Sequence, residues 1–115
     1  MAHNTEYYTY EGTPINGNLM MNVQVFDIII KRVVTEAENV SLDTSKGFSM
    51  SGSKNLVNCT IRDNEVYITL HLKMKYGTNI SAETKFLQKK LADQIKEITN
   101  VDVKSIDINV EGIVF

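Results

Sequence analysis

The 115-residue chain has no tryptophan, a single cysteine and no apolar run long enough to cross a bilayer. Each shortage closes off a class of protein. Cys59 alone cannot build a disulfide framework, and it fits a reducing compartment. The most apolar stretch, VQVFDIIIKRVV over residues 23–34, is broken by Asp27, Lys31 and Arg32, far too short and charged for a membrane span. The opening MAHNTEYYTYEGTPING offers no apolar segment of signal-peptide type, so the expected location is cytoplasmic. Twelve basic residues against fourteen acidic ones leave a net charge of −2, which gives no general attraction for nucleic acid or anionic lipid. The two histidines, His3 and His71, have no carboxylate or thiol companions at metal-ligand spacing, and neither a metal nor a cofactor is expected.

What is present is an ordinary single-domain composition, 43% hydrophobic and 23% charged, sufficient for one modest core. Residues 1–16, with Tyr7, Tyr8 and Tyr10 among polar neighbours, read as a flexible N-terminal arm. The domain proper is expected over residues 17–115. It starts with GNLMMN, a glycine, a short strand and a helix cap at Asn22. A helix over 23–38 follows, with Phe26, Ile29, Ile30, Val33 and Ala37 on its buried stripe. The serine- and glycine-rich residues 41–55 read as a mobile connector.

Next comes an antiparallel hairpin. Val57, Cys59 and Ile61 alternate with polar residues, as do Val66, Ile68, Leu70, Leu72 and Met74. A two-residue turn at Asp63-Asn64 sets Ile61 opposite Val66 and Cys59 opposite Ile68, with both apolar sets on one face. Ser81 is placed to cap a second helix running to Thr99, with Leu87, Leu91, Ile95 and Ile98 buried. In the last strand Ile106, Ile108 and Val110 share a face, and Gly112 marks a bulge. Both helices end in Asn-Val, at Asn39-Val40 and Asn100-Val101, where asparagine tolerates the left-handed cap conformation. The expected fold is α+β in βαββαβ order: a small mixed sheet containing an antiparallel hairpin, with two helices packed on one face.

No catalytic constellation stands out. KYGTNIS, at the exit of the long strand, has only Gly77 where a phosphate-binding loop needs several glycines, so Gly77 is read as a structural turn. Cys59 falls on the apolar face, as a buried thiol does. Arg62, Tyr67, His71, Lys73 and Lys75 on the polar sheet face invite a small RNA-binding module as the alternative function. Only one aromatic platform is among them, and Asp107 and Glu111 oppose the charge. A different signal lies on the helices. Ile28 and Phe86 fall opposite the buried stripes and make a candidate interaction surface.

Several of these residues together resemble the alkaline-shock protein family, bacterial proteins linked to the cell envelope and general stress. The resemblance rests on GNLMMNVQVF, KYGTNI, Gln88, the helix-ending Thr99-Asn100 and SIDINVEGIVF, and covers residues 17–115 apart from the connector. The chain departs from the pattern at Asn39 and Asn100, where the family has glycines, and at Ile30 and Val33, where it has alanines. The resemblance implies a non-enzymatic cytoplasmic interaction or scaffold protein that self-associates or docks on protein partners. Any membrane recruitment is then indirect, through a membrane-anchored partner. Neither nucleic acid nor a small-molecule substrate is expected.

Overall fold

A computed structural model describes residues 4–42 and 56–115. The chain order is β1 (Asn4–Thr5), β2 (Tyr7–Tyr10), β3 (Leu19–Asn22), α1 (Val23–Glu36) and β4 (Val40–Leu42), then β5 (Val57–Arg62), β6 (Glu65–Lys75), α2 (Ile80–Thr99) and β7 (Val103–Val114). The fold is α+β and contains the expected antiparallel hairpin.

Strict alternation makes β6 the middle of the main sheet. Val66, Ile68, Leu70, Leu72 and Met74 are wholly buried, while Tyr67, Thr69, His71 and Lys73 on the opposite face are half-buried. Along one side of β6 lie β5 and β4, both antiparallel to it. Along the other lies β7, parallel to β6 and reached through α2 as the crossover. β1 adds two residues to the outside of β5. Helix α1 packs over β5 and β4, and α2 over β7. Phe26, Ile30, Leu87, Leu91 and Ile95 thereby close a single core over the apolar sheet face.

The β5–β6 hairpin has the expected register, Ile61 opposite Val66 and Cys59 opposite Ile68. Asp63 and Asn64 both take left-handed backbone angles, φ 52° and 59°, which match the twist of a two-residue hairpin. Asn22 caps α1, accepting from the Gln24 amide at 2.8 Å. At Gly112 the β6–β7 register slips, leaving Glu111 as the extra residue, and a second slip leaves Lys104 unpaired near the start of β7.

Other expectations need correction. The segment read as a flexible arm has Asn4–Thr5 and Tyr7–Tyr10 in strands, and β3 pairs with β2 in a separate two-stranded sheet rather than joining the main one. The tyrosines are the reason: Tyr8 and Tyr10 pack partly against the core, their rings 5.2 Å apart. Of the expected connector, Ser41 and Leu42 belong to β4, and residues 43–55 lie outside the described residues. Helix α1 stops at Glu36 with an extended cap at Ala37, so Asn39 does not take the left-handed role that Asn100, φ 63°, does take. Val34 is buried besides the expected stripe.

In α2 the cap is Asn79, whose side chain accepts from the Ala82 amide at 3.0 Å, so Ser81 lies within the first turn. At the other end Thr99 is buried instead of Ile98. Its hydroxyl donates to the Ile95 carbonyl at 2.6 Å and accepts from the Val101 amide at 3.2 Å, so the buried hydroxyl is used both as donor and as acceptor.

Candidate functional site

The helices run antiparallel. The Asn39 side chain, just past α1, donates to Glu83 at the start of α2 across 3.5 Å. Between the helices is a groove of about 220 Å³ whose lining includes Ile28, Arg32, Glu36, Lys90, Gln94 and Ile98. Ile28 is 67% exposed and Ile98 59%. The helical period correctly sends Ile28 outward, since α1 buries Phe26, Ile29, Ile30, Val33 and Val34 on its other side.

Phe86 is also exposed, at 60%, but belongs to a different cluster. It borders an open cleft where β6 gives way to α2, together with Lys75, Tyr76, Gly77 and Glu83. Gly77 turns the chain there with φ 93°, and a Cβ at that position would meet nothing within 4 Å. Its use is therefore conformational rather than a close approach. The Tyr76 amide donates to the Val114 carbonyl at 2.8 Å, and the Tyr76 and Phe115 rings lie 5.0 Å apart. The structure thus separates Ile28 from Phe86 and gives each a neighbour that sequence periodicity does not reveal. Ile98 was expected in the core, and Tyr76 and Phe115 meet only once β6 and β7 pair in parallel.

Two amides in the first turn of α2 are engaged by the chain itself. Asn79 takes Ala82 through its side chain, and its carbonyl takes the Glu83 amide at 2.9 Å. KYGTNIS is a capped turn. The polar sheet face is likewise occupied with its own pairs. The Arg62 guanidinium sits 4.1 Å from the Tyr67 ring centre, Tyr67 donates its hydroxyl to Glu65 at 3.1 Å, and His71 meets Glu111 at 2.8 Å. The bond to Glu65 holds the Tyr67 phenol above its ordinary titration range. A ring already covered on one side by a cation is a poor stacking platform for a base.

Cys59 lies beside Asp27 at the edge of the core. Burial, helped by that carboxylate, pushes its thiol up to about 12, so it stays protonated and unreactive at neutral pH. No group of three potential metal-binding side chains occurs among the described residues. No helix among them is long and apolar enough to cross a membrane.

Gln88 is the residue that ties the crossover helix to the last strand, its amide donating to the Ile106 carbonyl at 2.8 Å. Two segments carrying the sequence resemblance thus both bond to a third, β7 with its Glu111-Gly112 bulge: the KYG turn through Tyr76, and Gln88. Neither the curated proteins nor the solved structures contain a match to this chain. Residues 12–115 do match the alkaline shock protein 23 family, described by its cell envelope-related function. The chain belongs to that family.

Proposed function

We propose that this protein serves the family's cell envelope-related function as a non-enzymatic interaction module, acting by self-association or by docking on protein partners. The observation that carries this reading is the outward exposure of Ile28 and Phe86 on helices whose other faces are fully packed. Ile98 beside the first, with Tyr76 and Phe115 beside the second, enlarges each into a cluster. Burial of one such side chain at an interface contributes about 1.5–3 kcal/mol, enough to shift a weak equilibrium ten-fold or more. The protein works in the cytoplasm on this reading, and a membrane-anchored partner supplies any membrane location.

Sedimentation velocity on the parent and on the Ile28→Lys/Phe86→Glu double variant tests the reading, with melting curves to verify the fold. Weaker assembly at an unchanged melting temperature is the expected result. If a well-folded double variant assembles and captures partners as the parent does, these side chains are chance surface hydrophobes and the reading fails.

A further inference from the structure

The last strand has a neighbour on one side only. β7 pairs with β6, and no other backbone bonds to its outer side among the described residues. The register shows which groups are left over. The His71 amide donates to the Leu56 carbonyl, so odd-numbered residues of β6 turn their backbone groups toward β5 and even-numbered ones toward β7. With Leu70 set beside Ile108, parallel pairing then turns the N–H and C=O groups of Ile106, Ile108 and Val110 outward. One of these groups is already used from outside: the Ile106 carbonyl takes the Gln88 side-chain amide at 2.8 Å. Those of Ile108 and Val110 have no partner among the described residues.

Helix α2 stands over this edge. Its Lys90, Gln94 and Ile98 line the groove toward α1. The helical period puts Lys85, Lys89, Ala92 and Lys96 on the opposite flank, just outward of Gln88. Lys89 pairs with Asp93 at 3.1 Å and Lys96 with Asp102 at 3.0 Å. Lys85 has no ion-pair partner among the described residues, and α2 runs antiparallel to β7, which sets it farther along toward Ile108. On the open face of the sheet, Glu111 is held by His71 at 2.8 Å, with the Lys73 stem beside Gly112. Lys104 lies 3.9 Å from Glu65. Asp107 is exposed there and has no ion-pair partner among the described residues. The middle of the edge therefore offers an ammonium on its helix side and a carboxylate on its open side.

The geometry points to this edge as a binding site for an extended peptide of a partner protein. The peptide adds a strand beside β7, bonding through its backbone to Ile108 and Val110, with acidic side chains on its helix side and a basic one beside Asp107. Alternate residues of such a strand are about 7 Å apart, close to the rise of about 6 Å between Lys85 and Lys89. The register slips at Lys104 and Glu111 bound the interval, so the added strand is short. A second copy of β7 fits less well. A two-fold axis beside Ile108 would bring the two Asp107 carboxylates within diagonal reach and turn the two lysine flanks toward each other. The inference rests on the reading of this protein as an interaction module, but on neither of the clusters around Ile28 and Phe86.

A designed peptide tests it. VKETVKETV, blocked at both ends, carries valine and glutamate on one side of a strand and lysine and threonine on the other. Titrated into the labelled full chain, it should shift the Ile108 and Val110 amide resonances and the Gln88 side-chain amide, and slow exchange at the two backbone amides. Lys85→Glu and Asp107→Lys should each weaken binding about five-fold at an unchanged melting temperature. The charge-exchanged peptide VEKTVEKTV should bind the parent more weakly and the Lys85→Glu/Asp107→Lys protein better. Val110→Pro deletes an outward N–H that β6 does not use, and should abolish binding in a protein that still melts cooperatively. No shift at Ile108 and Val110 with millimolar peptide overturns the proposal, as does equal binding of the two peptides by the parent. Concentration-dependent shifts of these amides without peptide would give the edge to a second copy and overturn it as well. The Ile28→Lys/Phe86→Glu protein should bind the peptide as the parent does, whatever becomes of its own assembly, so the two readings fail separately.

Discussion

The side-chain amide of Asn64 pairs with both backbone polar groups of Thr9, accepting from its N–H and donating to its C=O, each at 2.9 Å. Asn64 thereby imitates one residue of a neighbouring strand and latches β2 onto the β5–β6 turn. The same residue supplies the turn with φ 59°. Two roles at one position can be separated by substitution. Asn64→Gly keeps the left-handed backbone and deletes the latch, and should cost about 1–2 kcal/mol in urea unfolding, the contribution of two partly exposed hydrogen bonds. Asn64→Ala should cost more, because alanine adds the strain of the left-handed conformation. Hydrogen exchange at the Thr9 amide should speed up in both. An Asn64→Gly protein with parental stability and exchange would show that the latch contributes nothing.

Gly77 makes a second backbone prediction. Space is open around it, so Gly77→Ala fails through its φ of 93° rather than through a clash. The expected loss exceeds about 1 kcal/mol, with asparagine better tolerated than alanine. Added phosphate should not raise the melting temperature of either protein, since Asn79 already takes the Ala82 and Glu83 amides and Gly77 is the turn's only glycine. A rise with phosphate would restore the binding-loop reading.

Cys59 gives a pH prediction. Its thiol has an ordinary value of 9.0 and is pushed up to about 12 by burial and by Asp27. The folded state therefore holds a proton that the unfolded chain releases first. The associated stability is fully present below pH 9 and is lost as the pH rises toward 12, with a slope of at most about 1.4 kcal/mol per pH unit. Burial also raises Tyr10 and acts in the same direction, so the cysteine's share is read by difference. Between pH 9 and 11, Cys59→Ala should lose stability less steeply than the parent in urea titrations. Parallel curves would refute the assignment.

Much of this architecture can be read from the residues, and its gaps have physical reasons. The β5–β6 pairing is legible because apolar parity and the Asp63-Asn64 turn specify one register independently. Exposure of Ile28 and Phe86 follows from the helical period alone. The N-terminal strands are not legible, because nothing local tells Tyr10 that its hydroxyl will donate to the Thr99 carbonyl at 2.6 Å. Ser81 and Asn79 are both able caps, and the choice between them depends on where the Gly77 turn releases the chain. Ile98 and Thr99 compete for the same helical face at the end of α2. The threonine wins there because it bonds within the last turn while Tyr10 takes its carbonyl. The neighbours of the candidate surfaces are tertiary facts of the same kind, set by antiparallel helices and a parallel strand pair.

The bond from Tyr10 to Thr99 has a consequence for how the chain is made. Its two residues are 89 positions apart, and the Thr9–Asn64 latch spans 55. A two-stranded hairpin is marginal without a surface to pack on. During synthesis β2 and β3 emerge before their anchors, the β5–β6 turn and the last residue of α2. These two strands must therefore wait for their anchors, their tyrosines uncovered, until α2 has been translated. They would then be the closing step of folding, docking against a sheet and helix assembled after them.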